Sequence, residues 1–91
     1  MPYIKREDRR KYTRIIEELA QLIPQDRMAR PGHMNYLVSM LIHKVYGTEM
    51  RYSDHNEVVG VLNCIVDEFY RRKTAPYEDI KIAEEGDLDE L

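Results

Sequence analysis

The chain is short of the residues that build stapled, membrane-spanning or metal-bound proteins. It has 91 residues and one cysteine, Cys64, so no disulfide can close within it. That excludes the disulfide frameworks of small secreted domains and makes a reducing cytoplasm the expected setting. No apolar run approaches the roughly 20 residues that a membrane-spanning helix needs, and a membrane partner is not expected. The opening MPYIKREDRRKY lacks the apolar stretch of a signal peptide. There is no glycine-rich phosphate loop. The three histidines, His33, His43 and His55, have no His or Cys at the i, i+4 spacing of a helical zinc site. Asp54 and Glu57 lie too close to His55 in sequence to converge on an ion with it. Cys64 at the edge of an apolar face is ordinarily an inert thiol, and a nucleophile would need a base such as His43 brought from another helix. No enzyme activity, cofactor or metal is expected.

What the chain has is charge and helical periodicity. Charged residues make up 34%, and the net charge is -3. The charge is uneven. Residues 1–14 carry Lys5, Arg6, Arg9, Arg10, Lys11 and Arg14 against Glu7 and Asp8, whereas residues 75–91 carry seven acidic side chains and one basic one, Lys81. A basic arm suggests nucleic acid. An isoelectric point near 5.6 favours the other reading, in which the basic start meets an acidic end within or between subunits.

Ninety-one residues allow one domain with a small core. The expected fold is all-α: a small bundle of three main helices, about residues 7–23, 33–46 and 54–73, with a short C-terminal helix at about 76–85. An extended anchor is expected at residues 1–5 and a frayed acidic tail at 87–91. In the first helix Tyr12, Ile15, Ile16, Leu19, Leu22 and Ile23 recur at spacings of three and four, and Pro24 ends it. Residues 24–32, PQDRMARPG, read as a loop made basic by Arg27 and Arg30. The second helix sets Leu37, Val38, Leu41, Ile42 and Val45 on one face and Asn35, Ser39 and His43 in a polar stripe, closing at Gly47. In the third, Ser53 or Asp54 serves as N-cap, and Val58, Val61, Leu62, Ile65, Val66 and Phe69 make one broad face. Pro76 pushes residue 75 out of helical geometry, breaks the run and opens the fourth helix. Gly86 stops it.

These stripes, with Met28, Met34, Met40 and Met50 beside them, make more apolar surface than one such bundle hides. A homodimer or higher oligomer is therefore expected. The candidate ligand site is a basic one. Arg71 and Arg72 offer bidentate contacts to phosphate, with Tyr70 beside them and Arg9 and Arg10 at the other basic end. Glu68 is spaced to pair with Arg71 or Arg72, and Asn56 and Glu57 complete the candidate set. Glu57 and Glu68 lie about 16 Å apart along one helix, too far to act as an acid–base pair.

Three stretches, MPYIKREDR at 1–9, GHMNYLVSMLIH at 32–43 and NEVVGVLNCIVDEFYRRKTAPYEDIKIAEEGD at 56–87, resemble a group of short prokaryotic and phage proteins with no assigned activity. The run EFYRR…APYED is the most specific piece. The resemblance implies no catalytic role; its matching positions are Asn35, Asn56, Glu57, Glu68, Tyr70, Arg71, Arg72, Tyr77, Glu78 and Asp79. The expected function is that of a non-enzymatic helical homo-oligomer acting by binding, as a protein–protein interaction or assembly module. The alternative, by analogy with other short helical phage proteins, is a sponge that sequesters an anionic nucleotide, such as a cyclic nucleotide immune signal, at a subunit interface.

Overall fold

The computed structural model describes residues 3–91. Met1 and Pro2, part of the expected N-terminal anchor, lie outside the described residues. Among the described residues every regular element is helical. The chain divides into two compact units, Met1–Met50 and Arg51–Leu91.

In the first unit, α1 spans Arg6–Leu22 and α2 spans Arg30–Tyr46. Glu7 and Asp8 occupy the first turn of α1, where carboxylates complement the helix dipole. Ahead of it, Tyr3 and Ile4 are each about half exposed, and Arg9 Nε donates to the Ile4 carbonyl at 3.0 Å. Ile23 is extended, as a residue before proline should be, and α1 stops there. Asp26 then organises the connection. Its carboxylate accepts from the Met28 N–H at 3.1 Å, and its carbonyl accepts from the Arg30 N–H at 2.8 Å. The second helix starts at Arg30, three residues earlier than the expected residue 33. Pro31 falls in its first turn, where a missing N–H costs nothing and φ is already set. Gly47 ends it at φ 79°, a region that favours glycine, with its N–H on the His43 carbonyl at 2.8 Å. The two helices do not pack along their lengths.

The second unit is one continuous helix of 34 residues. Its first part, α3, spans Tyr52–Phe69. The cap is Arg51 rather than Ser53 or Asp54. Asp54 sits one turn in, and its carboxylate accepts the Arg51 backbone N–H at 3.0 Å. This is the reciprocal half of a capping box; an arginine side chain has no acceptor to supply the other half. The expected break at Pro76 is absent. Thr74 and Ala75 keep helical dihedrals, and a π turn over Tyr70–Thr74 joins α3 to α4, Ala75–Glu85. A proline inside an α-helix removes one hydrogen bond and drives its ring against the carbonyl four residues back. Here that carbonyl belongs to Arg72. The wider turn, in which the Ala75 N–H reaches the Tyr70 carbonyl, lets the helix pass the ring instead of ending. Gly86, at φ 93°, ends α4.

None of the described side chains is buried. The stripe of α1 stays open, with Ile15 and Ile16 each 61% exposed, and so does that of α3, with Val66 64% and Phe69 63% exposed. The elements are those of an all-α fold, but neither unit closes a core of its own.

Candidate functional site

The joint between α3 and α4 gathers a cluster of polar side chains with defined partners. Glu68, on the last turn of α3, holds both arginines with one oxygen: Oε1 lies 2.8 Å from Arg71 Nη2 and 2.6 Å from Arg72 Nε. The acceptor is shielded and the donors are not. The Glu68 side chain is 18% exposed, against 69% for Arg71 and 56% for Arg72. The i+3 and i+4 spacing brings all three to one side of the helix. Both guanidinium groups thus surround a carboxylate that already neutralises part of their charge.

On another side of the joint, Tyr70 Oη donates to Glu78 Oε2 at 2.8 Å. In a regular α-helix, positions eight apart are about 80° out of phase, whereas positions seven apart nearly coincide. A π turn holds about one extra residue, so the eighth position takes the place of the seventh. The hydrogen bond thus depends on the π turn and clips its two sides together. The Glu78 bond and charge, with smaller contributions from desolvation and Asp79, raise the Tyr70 hydroxyl above its ordinary pKa. Further along α4, Lys81 Nζ lies 5.8 Å from the Tyr77 ring centroid and 3.3 Å from Glu84 Oε2.

The expected site residues are only partly assembled. Glu68, Tyr70, Arg71 and Arg72 share the joint. Asn56 and Glu57 lie near the start of the same helix, about 21–24 Å from the arginines along its axis, and are not brought to them. Arg9 and Arg10 belong to α1 of the other unit. In the expected polar stripe of α2, Ser39 Oγ bonds Asn35 Oδ1 at 3.4 Å. Cys64 is exposed. Among the described residues no group of His, Cys, Asp or Glu is placed to hold a metal ion, and no helix is long and apolar enough to cross a membrane.

Two features escaped sequence reasoning. Glu78 is the partner of Tyr70, which ideal helical spacing hides. An apolar groove of about 510 Å³ opens within the first unit, lined by Leu19, Leu22 and Ile23 from the end of α1 and by Gly32, His33, Tyr36 and Leu37 from the first turns of α2. The sequence signal for it was Pro31, whose helix-starting role places the α2 side chains one turn earlier.

The protein is thus a short all-helical chain whose apolar stripes stay open to solvent and whose charged clusters sit on the helix surface. It belongs to the DUF6899 family, a domain of unknown function, whose profile matches residues 1–88. No curated protein and no solved structure matches it.

Proposed function

We propose that the protein is a non-enzymatic homo-oligomer that works by binding, its exposed helical stripes being covered by further copies of itself. The observation that carries this reading is the absence of any buried side chain among the described residues, although two helices carry continuous aliphatic stripes. Apolar surface left in water forgoes about 25 cal/mol per Å², and contiguous exposed patches of this kind mark association sites. The chemistry at the joint supports binding over turnover. Its shielded carboxylate, Glu68, is paired with two exposed arginines, and Tyr70 has its proton held more tightly by Glu78, not released. An anionic nucleotide at Arg71 and Arg72 would have to compete with Glu68 for both guanidinium groups. Sedimentation velocity over a range of concentrations tests the reading. A species of two or more chains is expected, and a monomer at every concentration overturns it.

A further inference from the structure

The long helix itself specifies how two copies meet. The six stripe residues of α3, Val58, Val61, Leu62, Ile65, Val66 and Phe69, are spaced three, one, three, one and three apart. That series reads the same in both directions. We infer that the α3 face docks on the same face of a second copy, antiparallel, about a two-fold axis between Asn63 and Cys64. Val58 then lies level with the second copy's Phe69, Val61 with its Val66, and Leu62 with its Ile65, so the two apolar stripes coincide along their length.

Three observations select this occupant. The first is length. Because Pro76 is passed and not obeyed, the helix from Tyr52 to Glu85 cannot fold back on itself and is about 51 Å long, whereas α1 and α2 are each about 26 Å. Either would follow at most half of it, whereas another copy in this register follows it over about two-thirds of its length. The second is charge. The same axis puts Lys73 level with Asp54 of the second copy. At about 100° per residue, with the lag of the π turn, both residues fall on the same side of the stripe's midline, about 50° away for Asp54 and 30° for Lys73. In an antiparallel pair, residues on the same side face each other across the dyad. A parallel pair would instead set Arg71, Arg72 and Lys73 against their own copies, and like charges repel. The third is exposure. Five of the six stripe side chains are between 36% and 64% exposed, so the face is open to be covered.

This inference rests on the homo-oligomer reading and adds its face, direction and register. Distance measurement between spin labels tests it. Cysteine is introduced as Asn63→Cys or Ala83→Cys in a Cys64→Ser chain, both labels lying off the stripe. The antiparallel pair predicts about 20–30 Å between labels at 63 and about 60 Å between labels at 83. Short distances at both positions indicate a parallel pair and overturn the inference. An oligomer by sedimentation with any other pair of distances also overturns the inference and leaves the oligomer reading standing. A labelled chain that is monomeric, together with a monomeric unlabelled chain, overturns both.

Discussion

Replacing Ile65 by glutamate separates the stability of the helix from that of the assembly. Ile65 lies at the middle of the α3 stripe and is 56% exposed in the single chain. Full burial of an isoleucine is worth about 1.5–3 kcal/mol, so about half of that is still to be gained on association. Two copies together lose about 1.7–3.4 kcal/mol when it is removed, which weakens a dimer roughly 15- to 300-fold. The incoming carboxylate adds a desolvation cost of several kcal/mol if the face closes over it. The helix of the lone chain suffers nothing comparable, because glutamate has the higher helix propensity by a few tenths of a kcal/mol. Sedimentation velocity and far-ultraviolet circular dichroism on the same samples read the two effects. The expected result is a shift to monomer, at micromolar concentration, with helical signal retained at low temperature and melting that no longer depends on concentration. An Ile65→Glu chain with unchanged mass and an equal or higher melting temperature would refute the reasoning, since the stripe would then face nothing.

Pro76→Ala removes the cause of the π turn. A regular α-helix is expected in its place, α4 turns by about 100° relative to α3, and Tyr70 loses Glu78; the tyrosine titration followed by ultraviolet absorbance should fall back toward its ordinary value. In the native chain the Tyr70 hydroxyl titrates above 10.0. The folded state therefore holds that proton more tightly than the unfolded state, and the stabilisation is complete below pH 10, fading as pH rises through the raised value. Thermal melts across this alkaline range should show the loss, and Glu78→Gln should shrink it. Glu68→Gln frees Arg71 and Arg72 from a pair whose donors are largely exposed, so a melting change equivalent to less than about 1 kcal/mol is expected, with reduced dependence on salt.

The sequence displays the helices through period and punctuation. Ile15, Ile16 and Leu19 set the face of α1, Pro24 its end, and Gly47 and Gly86 the stops of α2 and α4. Punctuation by proline proved ambiguous in a physically instructive way. Pro24 ends a helix because Ile23 becomes extended, Pro31 begins one, and Pro76 sits inside one because the turn before it widens. The same residue constrains φ and lacks an N–H in all three places; what differs is its position, after the last turn at Pro24, in the first turn at Pro31 and just past a π turn at Pro76. At the joint, Glu68 with Arg71 and Arg72 was legible, because i+3 and i+4 pairs follow from an ideal helix. Tyr70 with Glu78 was not, because the pairing exists only after the π turn shifts the phase. The open state of the stripes was legible only as a surplus of aliphatic residues over what one small domain can hide.

Molar mass by light scattering, read on the unmodified chain at several micromolar concentrations, tests the central claim most directly. Twice 10.9 kDa or a higher multiple is expected, falling toward 10.9 kDa only on dilution. A constant 10.9 kDa at every concentration, from a chain that remains helical by circular dichroism, would contradict it.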